Sequence, residues 1–169
     1  LRQNQKETIK KILPELLDRV EWLTELPKRF KGVVIANEVL DAFPVKRISF
    51  IKDNFYELGV GFKEGKFDWE RFNEPFIDSS IPYSMNFHEG YTTEINLQAN
   101  AWVKSLYDFL DNGVVFLIDY GMTESEYFHP QRNQGTLKCF SNHKSNDDPF
   151  INIGKQDITA SINFSHVAK

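Results

Sequence analysis

Cysteine is nearly missing from this chain: Cys139 stands alone among 169 residues. One thiol can form neither an internal disulfide nor a thiolate metal cluster, and it fits a reducing compartment. Long apolar runs are missing too. No segment approaches the roughly 18 apolar residues of a membrane-spanning helix, and no secretory h-region opens the sequence. Lys and Arg nowhere cluster and the net charge is -4, which argues against a phosphate-binding, nucleic-acid surface. The nine glycines form neither G-x-G-x-x-G nor G-x-x-x-x-G-K-[ST], so the phosphate-cradling signals are absent. No G-x-S-x-G elbow of an α/β-hydrolase occurs, and a small hydrolase built on Asp119 and His143 would lack a nucleophile. His129, His143 and His166 lie far apart in sequence, whereas a metal site needs three or four converging ligands; no metal is expected.

What is present can build a core. Hydrophobic residues make up 41% of the chain, 15 of them Phe, enough for one domain of ordinary size. Residues 3–12 read as a helix with Ile9 and Ile12 on one face, ended by Pro14 because proline lacks an N–H and clashes with the preceding turn. Leu16, Leu17 and Val20 resume an apolar stripe, and 20–23 reads as a short strand. Val33 to Asn37 is too short for a helix, and its continuous β-branched run suits a strand covered on both faces, as in a parallel sheet. Residues 45–51 and 55–62 flank Lys52-Asp53-Asn54 and read as an antiparallel hairpin. Lys63 to Glu89 shows weak periodicity and reads as an excursion from the core.

A long helix follows. Thr92 or Thr93 would cap it, Ile95, Ala99, Trp102, Val103, Leu106, Phe109 and Leu110 would form its apolar face, and Asn112-Gly113 would end it. Glu94 would then lie in the first turn, where a carboxylate favours the positive dipole end. VVFLIDYG (114–121) is a second continuous apolar strand. Residues 122–156 carry little pattern and read as a long loop. Asn163 looks like an N-cap. The chain opens inside a helical pattern and closes one turn into another, which reads as a piece cut at both ends.

Helix, strand, hairpin, helix, strand implies right-handed crossovers and a mostly parallel α/β sheet. Both strong strands end in acid: Asn37-Glu38, with Asp41 three residues on, and Asp119-Tyr120-Gly121. Ligands of open parallel sheets bind just beyond the carboxyl ends of the strands. Two carboxylates there can hold a cation or accept a proton; alternatively Asn37 caps a turn and the acids face water. Asp119 either binds a hydroxyl or cation or simply starts a loop.

Several blocks taken together, ANEVLDAFPV (36–45), TTEINLQANAW (92–102), FLIDYG (116–121), EYFHPQRNQGTLKCFSNHK (126–144), DPF (148–150) and GKQDITASINFS (154–165), resemble the MidA-type family of class I, S-adenosylmethionine-dependent methyltransferases. The order NE-x-x-DA-x-PV, IDYG, R-x-x-GTL, QDITA carries the resemblance; no single block would. It implies a partial Rossmann-like sheet with an antiparallel hairpin region inserted at 46–90, residues 1–169 forming an incomplete methyltransferase domain whose glycine-rich cofactor turn lies upstream. It also implies S-adenosyl-L-methionine as cofactor and a protein substrate, methylated on arginine, of the kind found in respiratory complex assembly. The setting it implies is a bacterial cytoplasm or a mitochondrial matrix, with a homodimer as one possible state.

By the same resemblance Val33 to Glu38 is the fourth strand of the sheet. Asn37 and Glu38 then face the cofactor, and Glu38 and Asp41 are the candidate catalytic carboxylates. Glu94, Asp119, Tyr120, Arg132, His143 and Asp157, with Gly135, Thr136 and Thr159, would surround the substrate mouth. Arg132 could instead pair with Asp119 or Asp157. The other reading is a non-catalytic assembly module that grips a partner through Phe50, Phe55, Phe62, Phe67, Trp69 and Phe72.

Overall fold

The computed structural model describes residues 1–142 and 144–169. Helix α1 (Arg2–Ile12) and a 3-10 turn (Pro14–Arg19) buried in nothing precede strand β1 (Phe30–Asn37). Proline at the first position of that turn stops α1 as expected, because its ring fits a helix start and not a helix interior. Residues 20–23 form no strand; with no neighbouring strand to pair with, an apolar stretch has nowhere to place its backbone hydrogen bonds.

Three antiparallel strands follow, β2 (Lys46–Ile51), β3 (Asn54–Lys63) and β4 (Lys66–Pro75), then β5 (Thr92–Ile95). They form one sheet in the order β4-β3-β2-β5. Two-residue turns join the hairpins: Lys52-Asp53 (φ 49° and 64°) and Glu64-Gly65 (φ 53° and 78°). Positive φ at both central residues matches the natural strand twist. The weakly patterned stretch from Lys63 to Glu89 is therefore hairpin arm as far as Pro75 and then a connection that sends Ile81 into the core. Ile81 and Tyr91 join Ile48, Phe55, Ile95, Tyr127 and Phe128 in the main apolar cluster. Phe50 packs on that cluster, whereas Phe62 (66% exposed), Phe67 and Phe72 lie on the open arm.

The long helix α2 (Leu97–Phe109) begins later than the sequence suggests. Thr92 and Thr93 pair with Ser49 and Ile48 instead of capping a helix, because β-branched residues suit a pleated, half-buried position. Asn96 is the true cap, its side chain accepting from Ala99 N. The helix then runs without a glycine cap straight into β6 (Leu110–Ile118), and Gly113 lies inside that strand. Strands β1 and β6 are parallel, from Val33↔Val114 through Asn37↔Ile118. Gly113 is needed there because a β-carbon would overlap the backbone carbonyl of Gly32.

Only one face of the β1–β6 pair is covered. Leu117 packs with Leu40, Ala99, Ile162, Trp102 and Val103. On the other face Val33, Ile35 (71% exposed), Val114, Phe116 and Ile118 stand open. The expectation of burial on both faces fails for this chain, since α2 lies on one side and nothing among the described residues lies on the other.

The predicted loop 122–156 is built from short elements: β7 (Gly121–Met122), α3 (Glu124–Tyr127), β8 (Lys138–Ser141) and β9 (Lys144–Asn146). Helix α3 opens on a capping box between Thr123 and Glu126, a reciprocal pair that satisfies two free N–H groups. The chain closes with β10 (Asp157–Thr159), β11 (Ile162–Asn163) and α4 (Phe164–Val167), the last capped by Asn163 as expected. Strands β10, β8 and β9 form a small antiparallel sheet, and β11 pairs with β7. No helix among the described residues is long and apolar enough to cross a membrane.

Candidate functional site

Because β1 and β6 are parallel, their carboxyl ends open on the same side, with Glu38 N donating to Ile118 O at 2.8 Å. Glu38 has φ 49°. This left-handed step ends the strand and turns the chain into the next segment, at a cost a residue other than glycine accepts only where surroundings enforce it. Asp119 supplies that enforcement. Its Oδ2 accepts from Leu40 N (2.9 Å) and Asp41 N (3.2 Å), and its Oδ1 from Tyr120 N (2.8 Å). Asp119 thus fastens the end of β6 to the turn after β1 and does not line the cleft beyond. Asp119→Ala strips three backbone donors of their partner, and we expect a loss of about 2–4 kcal/mol in urea unfolding. A loss under 0.5 kcal/mol would show that water replaces the carboxylate at no cost.

The cleft has a volume of about 540 Å³ and is lined by Glu38, Asp41, Tyr120, Thr136, Lys138, Phe140, Asp157, Thr159, Ala160 and Ser161. Three carboxylates and two aromatic rings therefore face one space. Lys138 brings a cation, but its Nζ is paired with Asp147 at 2.6 Å, so the cleft stays acidic. Asp41 is only 8% exposed, and its Oδ1 is buried with no hydrogen-bond partner among the described residues. Burial pushes its carboxyl above the usual range, reinforced by the negative charges of Asp119, Glu38 and Asp157. The far wall is tied down by Ala160 N donating to Asp41 O (3.0 Å) and Ser161 N donating to Thr136 Oγ1 (3.2 Å).

The structure brings together Glu38, Asp41, Tyr120, Asp157, Thr136 and Thr159, from segments up to more than a hundred residues apart in sequence. Asn37 lies exposed at the very end of β1, next to the cleft but outside its lining. Glu94 is not on a helix. It sits in β5, 1% exposed, paired with Arg47. Arg132 forms no ion pair with Asp119 or Asp157; its Nε donates to Glu126 O at 3.2 Å, and it borders a separate surface depression with His129 and Gln131. Its place beyond the β7–α3 corner keeps it from the cleft. His143 lies outside the described residues. No cluster of three potential metal ligands occurs among the described residues.

Lys138, Phe140 and Ser161 were not singled out from the sequence. Phe140 and Lys138 flank the fully buried Cys139, and that alternation in TLKCFS was the available signal of a strand with one wet face. Thr136 was placed at the mouth, but its bonds to Glu94 had no sequence signal.

The donor set suits a cationic cofactor. Glu38 and Asn37 close the strand where a sulfonium or an amino group would need carboxylate or amide oxygens, and Glu38, Asp41 and Asp157 line the space beyond it. No glycine-rich cradle follows β1, so the rest of a nucleoside would have to be held by other groups.

A family model described as "Putative S-adenosyl-L-methionine-dependent methyltransferase" matches residues 1–169. No curated protein matches. A crystal structure from Burkholderia thailandensis, of a protein bound to S-adenosyl-homocysteine, is 41% identical with a TM-score of 0.90. The alignment covers 99% of this chain and 44% of that one. A native crystal structure of a protein of the same superfamily from the same organism is also 41% identical, at TM-score 0.90, with 99% and 46% covered. This chain therefore spans less than half the length of the solved structures it resembles.

Proposed function

The chain belongs to this family of S-adenosyl-L-methionine-dependent methyltransferases, and from that premise we propose that it forms the acceptor side of a methyl-transfer site for arginine in a protein. The observation that carries this reading is the convergence of Glu38, Asp41 and Asp157 on one cleft walled by Tyr120 and Phe140. A guanidinium is planar and positive, so it gains from carboxylates at its edge and rings on its faces. S-adenosyl-L-methionine, the family's cofactor, supplies an activated methyl group when bound, and Asn37 and Glu38 are the residues of this chain that would meet it.

In this reading Glu38 orients the guanidinium by charge-assisted bonds, and Asp41 takes up the proton that the nitrogen sheds. A carboxyl raised above its ordinary range is the better base near neutrality. The exposed arm of β3 and β4, with Phe62, Phe67 and Phe72, is a contact surface for the acceptor protein. Respiratory-complex subunits, MidA-type kinship, a cytoplasmic or matrix setting and a homodimer belong to the same proposal. So does the incomplete domain: the open face of Val33, Ile35, Val114, Phe116 and Ile118 is the kind of surface that parallel sheets cover on both sides.

The test is a pH profile of methyl transfer from labelled cofactor to an arginine-containing protein, in a polypeptide that joins this chain to a cofactor-binding segment. Asp41 must be ionised to work, so transfer should rise as pH rises through its elevated value, and Asp41→Asn should remove that limb. Stability runs the other way. The folded carboxyl holds its proton more tightly than the unfolded one, so stability is fullest below the unfolded value and is lost as pH rises through the folded value. Asp41→Asn should therefore be the more stable protein at neutral pH. Methyl groups found on lysine and not arginine, or an asparagine variant with an unaltered profile, would sink the assignment.

A further inference from the structure

Glu94 is a buried carboxylate that the proposed chemistry leaves unused. Its side chain has no exposure to solvent. Burial raises its carboxyl above the usual range, an effect that the bonds from Thr136 and the charge of Arg47 only partly offset. Oε1 accepts from Arg47 Nη1 at 3.0 Å, a cross-strand contact that follows from the Arg47↔Glu94 register. The bonds to its other oxygen are not dictated by the sheet. Oε2 accepts from Thr136 N at 2.6 Å and from Thr136 Oγ1 at 3.1 Å. The Thr136 hydroxyl, having donated its hydrogen, accepts from Ser161 N at 3.2 Å. Thr136 and Ser161 both line the acidic cleft.

Gly135 makes this approach possible. It has φ 80°, and a β-carbon there would overlap the Glu94 carboxylate. Arg47 braces the carboxylate from behind. Its Nη2 donates to Gln134 O at 3.1 Å, and its guanidinium lies 4.9 Å from the Trp69 ring, which in turn packs 5.1 Å from Phe150. A buried ion pair by itself contributes little net stability, because desolvation offsets the attraction. A carboxylate so placed, with two of its three bonds spent on one residue of a cleft wall, has a more specific use.

We infer that Glu94 is a positioning residue: its charge fixes Thr136 and, through the Thr136 hydroxyl, Ser161, and so shapes the wall against which the acceptor lies. The kinetic part of this inference rests on the proposed transfer reaction; the structural part does not. The test uses Glu94→Gln, Thr136→Val and Thr136→Ser, in this chain for amide exchange and in the polypeptide with its cofactor-binding segment for kinetics.

In Glu94→Gln the amides of Thr136 and Ser161 should exchange about tenfold faster or more, with the amides of Ile48 and Tyr56 unchanged. Thr136→Val should speed Ser161 alone, and Thr136→Ser should restore it, since serine keeps the hydroxyl. The acceptor KM should rise about tenfold in Glu94→Gln with the cofactor KM unmoved. Unchanged exchange at Thr136 and Ser161 in Glu94→Gln overturns the inference. If that variant loses protection at Ile48 as well, Thr136→Val decides: Ser161 must speed up, and failure to do so overturns the inference equally. If the wild type transfers no methyl group at all, the functional reading falls, and the exchange data still decide the role of Glu94.

Discussion

Replacing Glu38 by Gln should abolish methyl transfer and spare cofactor binding. In a polypeptide that joins this chain to a cofactor-binding segment, we expect the rate to fall by about 100-fold or more, or roughly 3–4 kcal/mol of lost transition-state stabilisation. Glutamine keeps the size of the side chain and one acceptor oxygen. It loses the charge and the second acceptor, so it cannot hold both edges of a guanidinium fork. Aligning a nucleophile with an activated methyl is most of what such a protein can do, and small angular errors are expensive. Glu38 suits that task because the Glu38 N–H is pinned to Ile118 O and its φ of 49° turns it off the end of β1. Initial rates with labelled cofactor measure the first effect. Calorimetry with S-adenosyl-homocysteine measures the second, where affinity should stay within about threefold because the sulfur of that product is a neutral thioether and offers no charge for Glu38 to meet. A variant that transfers at the wild-type rate would take Glu38 out of the mechanism.

The second large effect concerns folding. Gly113→Ala should cost about 3 kcal/mol or more and lower the melting temperature by about 10 °C, since each kcal/mol moves a chain of this size by about 2–4 °C. The added methyl meets the backbone carbonyl of Gly32, and no rotamer can move a backbone atom aside. The two strands must separate or slip, and a slip by one residue would turn every side chain to the opposite face. It would also break the alignment that brings Asn37 level with Ile118 and so opens Glu38 and Asp119 on the same side. Asn112→Ala, exposed and one residue away, should change stability by less than about 0.5 kcal/mol. Equal melting temperatures for the wild type and Gly113→Ala would mean that the strands approach less closely than described.

The difference between Gly113 as predicted and Gly113 as found shows where reading from residues stops. After a helical stripe, Asn112-Gly113 looks like a helix end, because glycine accepts the left-handed C-terminal conformation. The same glycine is required when two backbones approach closely. Only the position of Gly32 across the sheet separates the two meanings. Thr92 to Glu94 failed for a related reason. A threonine before an apolar stripe fits an N-cap and fits an edge strand, and pairing with β2 decided for the strand. Glu94 went with it, from a solvated helix start to a buried ion pair.

The weakly patterned stretches misled for another cause. In β4 all residues but Trp69 are exposed, so neither side of the strand is covered well enough to impose a sustained alternation on it. The elements of 122–156 are two to four residues long, too short for a period to show.

Sequence alone determined the parts that depend on local chemistry. These are the two apolar strands ending in acid, the β2–β3 hairpin, the proline stop after α1, the Asn163 cap, and the blocks that carry the family resemblance. Each is settled by backbone preference or by composition within a few neighbours. Tertiary structure alone decided which carboxylate is satisfied and which is left wanting. Asp119, Glu94 and Asp41 look alike in the sequence. One is consumed by backbone N–H groups, one by Arg47 and Thr136, and one keeps a buried oxygen with no partner among the described residues. A carboxylate's reactivity is set by desolvation and by partners tens of residues away, and those distances exist only once the chain has folded.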